Sequence, residues 1–531
     1  MEWTKEAQQY LKRVPPFVRS MAERGVEEHA RSQGMDTITV ELLAQYKAKA
    51  MGGNSGDHSS SDAAPPARIN EGEVYRYTTG LTEDEEWFWA REGVDPLGHA
   101  FARKRAVHAG ASGEFLAEEQ VLSTWQELVN RPDHSRGRTV YIHIPFCRNH
   151  CLYCGFYRYP VRPGDSARYT DALLHELKLI SSDAAVVSHP IHAVYLGGGT
   201  PTDLEAGDLK RLLSAIAGIL PLSNDCEITV EGRLYGFTDE KMEACIEGGA
   251  NRFSFGVQSF DTQVRRQMGR VLDRQETIDA LNRVCELDQG PVAIDLIYGL
   301  SGQTLAIWEE DVRTLIEETL IDGVSLYQLN IFSGRPLSTA IEAGKVAAPA
   351  DIPLQARMFA TGREMLASAR FKRLSMSHWG RTVKDRSRYN RFVRHGGVCI
   401  PLGCGAGGLL HGYRFFQEGE LKDYYARLAA GDKPVATAMR LPDDAPLFQA
   451  IAGQIDEGAL NLAMLSERHG CDLNGLIDPL LAQWERIGLI ERADDGWIEL
   501  TVAGEFWHVN LAQGMIDYYS KYSRKEQQCV H

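Results

Sequence analysis

Cys147, Cys151 and Cys154 form a Cys-x3-Cys-x2-Cys directly after an apolar run at 139–144, and nothing else in the chain constrains it as tightly. Three thiolates on one short loop can hold three irons of a [4Fe–4S] cube, whereas the usual all-protein site takes four cysteines. One iron is then open to a further ligand. A disulfide framework does not suit a chain whose 10 cysteines are spread over 531 residues. A zinc site usually draws four ligands in paired spacing, and His150 is the nearby extra candidate.

The fold class expected around this loop is α/β. Short β-rich runs at 139–144, 192–196, 227–231, 252–257, 292–297 and 324–330 alternate with helical periodicity at 166–180, 208–219, 239–247 and 275–287. Strands each followed by a helix are the grammar of a parallel barrel, and six units predict an open, partial one. The expected organisation is a helical module at 1–51, a Gly/Ser-rich linker at 52–68 and a lead-in at 69–138 with an amphipathic helix at 114–130. The barrel follows at 139–350 and an extension covering the substrate at 351–439, with a helix at 354–369 and then an irregular Gly-rich stretch to about 415. At 440–531 comes a winged-helix-like cap, with a helix at 480–487, strands at 488–491 and 497–500, and a last helix opening at 501. With 72 acidic against 57 basic residues, a net charge of −15 argues against nucleic-acid binding. No run of about 18 apolar residues predicts a membrane span. The N-terminus lacks an apolar signal core, so a cytoplasmic location is expected.

Barrel enzymes gather reactive groups at the C-terminal ends of their strands. Strand one leads into the cysteine loop, and strand two ends in a Gly-rich turn at 197–202, where backbone groups can approach a small zwitterion closely. Glu231, Gln258 and Asp295 stand at or near later strand ends, and Tyr327 and Gln328 on strand six are candidate catalytic groups. A buried acid is costly unless paired, which favours functional roles for Glu231 and Asp295. Arg270 offers a cation for a carboxylate.

The cysteine spacing resembles the radical S-adenosylmethionine (SAM) superfamily, in which the open iron chelates SAM and reduction of the cluster yields a 5′-deoxyadenosyl radical. Residues 141–155, 197–202, Glu231, 256–260, Arg270 and 295–299 together resemble the oxygen-independent coproporphyrinogen III oxidase family. That resemblance implies that Cys147, Cys151 and Cys154 hold the cluster. Tyr141, Tyr153 and Gly155 would lie near SAM, and Gly198, Gly199 and Thr200 would bind its amino acid portion. Glu231, Gln258, Arg270 and Asp295 would contact SAM, of which two molecules can bind. Tyr153 stands where the family often has Phe.

The segments 93–105 and 377–408 resemble the heme-degrading radical SAM methyltransferases, Gly407-Gly408 departs from the coproporphyrinogen oxidase pattern, and 146 residues precede Cys147. This resemblance implies an enzyme that methylates and opens heme anaerobically and releases its iron, fed by a low-potential donor such as a flavodoxin or ferredoxin. A coproporphyrinogen oxidase and a heme chaperone are the alternatives. Residues 1–50 resemble the small C-terminal module of the light-independent protochlorophyllide reductase B subunit. Heme carries propionates, so cations are expected at its site. Arg103-Lys104-Arg105 is one candidate cluster, and Arg381, Lys384, Arg386, Arg388, Arg391 and Arg394 form another. His99, His108, His378, His395 and His411 are candidate ligands for heme iron.

Overall fold

The computed structural model describes residues 1–12, 23, 26–27, 29–31, 34–43, 88–104, 108–135, 137–331 and 334–529. The linker expected at 52–68, the first part of the lead-in and Arg105 lie outside them. Six parallel strands, β1 (Arg138–Ile144), β2 (Ile191–Gly198), β3 (Leu222–Gly232), β4 (Arg252–Gln258), β5 (Val292–Tyr298) and β6 (Gly323–Gln328), stand side by side in chain order. Both faces of these strands are covered, which is why β1 is buried almost throughout. Val140, Ile142 and Ile144 join the main core with the intervening helices. Alternation then turns Thr139, Tyr141 and His143 to the lumen. The helices start where the sequence supplies caps: Thr238 accepts from Lys241 N–H, and Asp273 and Glu276 make a capping box.

The stretch expected to be irregular up to 415 is ordered instead. It contributes β7 (His378–Gly380), antiparallel to β6, and then the helix Arg388–Arg394. Next comes β8 (Val398–Leu402), a seventh parallel strand that pairs with β1 from Val398↔Arg138 to Leu402↔Ile142. The sheet continues through antiparallel β9 (Gly407–Leu410), β10 (Tyr413–Gln417) and β11 (Val435–Arg440). Pro401 disguised β8, because a proline argues against a central strand. Here the Pro401 carbonyl accepts from the Gln417 amide at 2.6 Å and the Lys433 ammonium at 2.6 Å.

The helix expected from residue 114 begins at Glu118, and Glu114–Phe115 pair with Arg440 and Met439 as an edge strand. Residues 381–397 pass beneath the sheet at its N-terminal end. Phe392 lies against Gly137, Asp385 lies against Gly323, and the backbone N–H of Arg388 donates to Glu227 at 3.0 Å.

The C-terminal part holds the helices Ala445–Glu457, Leu462–His469 and Leu473–Arg486 and a three-stranded antiparallel sheet. Its wing, Ile490–Arg492 and Ile498–Leu500, gains a third strand, Ala459–Leu460, that was not expected. Residues 88–104 are fastened to this part: the Gln483 side chain bonds both the N–H and the carbonyl of Ala90, and the Trp484 indole N–H donates to Phe88 at 2.9 Å. Ala7, Val26, Ala30, Ile38, Leu42 and Leu43 build a separate small core near the N-terminus. No helix among the described residues is long and apolar enough to cross a membrane.

Candidate functional site

The cysteine loop leaves β1 and is held down at several points. Arg148 N–H donates to Asp203 at 2.7 Å, Leu152 N–H to the Met268 carbonyl at 3.2 Å, and the Asn149 amide to the Gly269 carbonyl at 2.8 Å. Arg233 braces Asn149 through its carbonyl and side chain, at 2.8 and 2.6 Å. All three sulfurs receive a donor. The Thr200 hydroxyl reaches Cys147 Sγ at 3.2 Å, Phe156 N–H reaches Cys154 Sγ at 3.3 Å, and the Arg270 guanidinium lies 3.9 Å from Cys151 Sγ.

Donors aimed at sulfur are what iron-bound thiolates take from their surroundings. Burial pushes the Cys147 thiol up to about 11, so in the free protein it stays protonated. Iron would displace that proton. Among the described residues no three His, Cys, Asp or Glu converge on a single ion. Thiolates that each hold a different iron of a cube need not converge. The donor set fits the cluster.

Behind the loop, the Gly-rich turn is shaped by close approach. A side chain at Gly198 would collide with the His143 ring, and one at Gly199 with the backbone of Ile144 and Phe146. His143 was not singled out from the sequence, although alternation in β1 puts it on the same face as Tyr141. Its Nδ1 lies 3.0 Å from the Tyr141 hydroxyl, and burial and Arg158 hold it down at about 4, so it is neutral. Tyr141, Tyr195 and Tyr389 stack in the lumen, with 4.7 Å between the Tyr195 and Tyr389 rings.

Glu231 and Asp295 face each other's charge across this lumen. Burial first, and then Asp295, raises Glu231 to about 8. Burial likewise raises Asp295, against a hydrogen bond from Ser325. Gln258 ends β4 with φ 73°, beside a bulge where Val257 is skipped in the register with β5. Left-handed backbone at a residue other than glycine is strained, and such strain collects at functional sites. Gln258 Oε1 and Arg270 Nε are buried and have no hydrogen-bond partner among the described residues. Arg270 also donates to the Gly256 carbonyl. Two acids, an orphaned acceptor and an orphaned donor in one lumen match a small zwitterion carrying an extra positive charge. These residues fit SAM.

Tyr153 packs with the cluster of Val264, Met268, Leu300, Leu329 and Leu337, and Gly155 is half-buried just beyond Cys154. Tyr327 faces the lumen, and burial and Asp295 push its hydroxyl up to about 12. Gln328 does not join it. Neighbouring strand residues point to opposite faces, and the Gln328 amide bonds Gln355 on the helix side.

Five of the six cations of the second basic cluster already have partners, as does Lys104 of the first. Arg381 donates to the carbonyls of Thr319 and Ile316, while Lys384, Arg388, Arg391 and Arg394 pair with Asp288, Asp225, Glu457 and Asp456. Their segment lies at the end of the barrel opposite the cysteine loop. Lys104 donates to the Phe506 carbonyl under the rings of Phe506 and Trp507, and burial lowers it to about 7. Of the candidate iron ligands, His378 has both ring nitrogens engaged, by Ser325 and Asp385. His395 lies 2.9 Å from Glu457, and His411 lies 3.2 Å from the Arg131 carbonyl.

The family described as the radical SAM superfamily matches residues 141–315, and that described as the proto-chlorophyllide reductase 57 kD subunit matches residues 3–47. The chain is 38% identical over 429 residues to anaerobilin synthase of Escherichia coli O157:H7, covering 80% of this chain and 94% of that one. It is 26% identical to the heme chaperone HemW of Bacillus subtilis (strain 168), over 69% of this chain and 96% of the relative. Among solved structures, coproporphyrinogen III oxidase from Escherichia coli shares the fold, with a TM-score of 0.66 at 21% identity, over 77% of this chain and 96% of that one. The family resemblances read from the motifs are borne out.

Proposed function

The chain belongs to the radical SAM superfamily, whose cofactors are a [4Fe–4S] cluster and SAM, and from that premise we propose that it is an enzyme acting on heme. It would methylate and open the macrocycle and release the iron. One observation carries this reading: identity to an anaerobilin synthase runs through 94% of that relative. When bound, the cluster supplies the electron that cleaves SAM.

The chain's own residues do the rest. Cys147, Cys151 and Cys154 bind the irons, with Thr200, Arg270 and the Phe156 N–H holding negative charge on the sulfurs. Glu231 and Asp295 balance the positive charge of SAM. Gln258 and Arg270 orient it through the two buried polar atoms that have no partner among the described residues. Tyr327, protonated and on the lumen face, can donate a hydrogen bond to a ligand there.

The test is an anaerobic incubation of reconstituted protein with heme, SAM and a low-potential reductant, followed by mass spectrometry. A methylated linear tetrapyrrole with free iron is expected. Unchanged heme despite SAM cleavage would favour a chaperone. A parallel incubation with coproporphyrinogen in place of heme that yielded vinyl products would favour an oxidase.

A further inference from the structure

Residues paired in register across a sheet share a face. One such row leaves β1 and crosses the whole antiparallel extension: Thr139, Cys399, Leu409, Arg414, Met439 and Phe115 are successive partners. Thr139 belongs to the lumen face of β1. The Tyr389 hydroxyl lies 3.8 Å from Cys399 Sγ, and its ring stacks on the lumen tyrosines Tyr141 and Tyr195. The extension therefore continues the lumen wall, and Arg414 stands on it. Gly407, two residues before Leu409 on the same face, adds no side chain and leaves room there.

Arg414 is half-buried, and among the described residues no hydrogen bond or ion pair reaches its guanidinium. Burial alone lowers its proton affinity, so no carboxylate offsets the charge. A half-buried cation without a counter-charge is costly and calls for an anion from outside. A side chain at Gly110 would meet this guanidinium at 3.5 Å, and Gln513 fixes the Gly110 N–H at 3.0 Å, so the chain from residue 108 runs beside it. The His108 ring has no hydrogen-bond partner among the described residues. It reaches solvent, yet burial, Arg394 and Arg414 lower its proton affinity and keep it neutral. A group both exposed and hemmed in by protein lines an open cleft. Tyr327 has the same two properties: it is 40% exposed, and burial raises its hydroxyl. Arg394, itself paired with Asp456, acts on both His108 and Tyr327, so the three border one space.

We infer that the tetrapyrrole lies in this space against Leu409 and Gly407, with a propionate held by Arg414 and its iron coordinated by His108. The inference rests on the heme-acting function proposed above and says how that substrate is held. A guanidinium matches a carboxylate in a fork, and a half-buried setting strengthens such charged hydrogen bonds. A neutral imidazole is a common ligand of heme iron. The arrangement also divides the lumen by charge: Glu231 and Asp295 suit the cationic SAM, and Arg414 suits the carboxylate of its neighbour.

The test uses the reconstituted protein under anaerobic conditions. Hemin and hemin dimethyl ester, which lacks the carboxylates, are titrated into wild type, His108→Ala and Arg414→Gln, with absorbance and electron paramagnetic resonance recorded and SAM binding measured in parallel. Wild type is expected to give the spectrum of histidine-ligated heme. His108→Ala should lose that spectrum, and added imidazole should restore it, which a merely structural histidine would not allow. Arg414→Gln should keep the spectrum and bind hemin about tenfold more weakly, while the ester binds it and wild type alike. SAM affinity should be unchanged in both variants. His108 is exposed, so its replacement leaves the core intact and keeps the test clear of misfolding. A wild-type spectrum in His108→Ala overturns the iron assignment, and wild-type hemin affinity in Arg414→Gln overturns the carboxylate assignment, each without touching the heme-acting function. Wild type that binds neither hemin nor its ester overturns that function, and this seat with it.

Discussion

Glu231 is ordinarily an acid of pKa 4.5, yet in the folded chain it holds its proton up to about 8. Between those values the folded state binds more protons than the unfolded one, so stability of the ligand-free protein falls as pH rises through that window. A cationic ligand beside it reverses the preference. SAM binding at pH 7 is therefore expected to release close to one proton, read as a dependence of calorimetric enthalpy on the buffer's ionisation heat. Glu231→Gln should remove that dependence, and a wild type with none would remove Glu231 from the SAM site. Gly256 makes a second prediction at this scale. A Cβ there would stand 2.5 Å from the Gln258 amide nitrogen and 2.9 Å from the Arg270 guanidinium. Gly256→Ala should displace both groups and weaken SAM binding at least tenfold. The iron content of the reconstituted variant should fall far less than SAM affinity, because the three cysteines keep their loop and Cys151 loses one donor at most.

Among the elements, the segment beneath the barrel is fixed by one buried charge network. Arg252 Nε donates to Asp385 at 2.9 Å, and His378 Nε2 lies 2.7 Å from the same carboxylate. The Arg252 guanidinium and His378 hold Asp385 well below the usual carboxylate range against the cost of burial. Asp385→Ala leaves a buried guanidinium without its partner, which typically costs about 3–5 kcal/mol. A matching drop in denaturant midpoint is expected, whereas Lys384→Ala, on an exposed pair, should leave the midpoint unchanged. This network also shows where sequence reading stops. The six barrel strands were legible because each carries its own apolar run, and the cysteines because they share one loop. The fate of Arg388 or Arg394 was not legible, since their partners Asp225 and Asp456 come from other elements and nothing local points to them. The same holds for His143, whose neighbour Gly198 sits on the next strand. β8 stayed hidden for a different reason, a proline inside a run of five residues.

Across the whole molecule, the chain's early residues fasten its late ones. Gln483 satisfies both backbone groups of Ala90, so Gln483→Met strands a buried donor and acceptor, each worth about 1–3 kcal/mol. Hydrogen exchange should then accelerate in residues 88–104 while β1 to β6 stay protected, and uniform acceleration would mean that the clasp and barrel open together. β8 carries a larger separation. The Thr139 hydroxyl bonds the Val398 carbonyl across 259 residues of chain. At about 5–20 residues per second of synthesis, β1 waits roughly 13–50 s on the ribosome before its partner on that side exists. For that interval its unpaired edge is open to any other strand, a hazard that late-arriving partners impose. The protein's yield in a cell is thus set in part by a clock, and what shelters β1 in the meantime matters as much as what finally covers it.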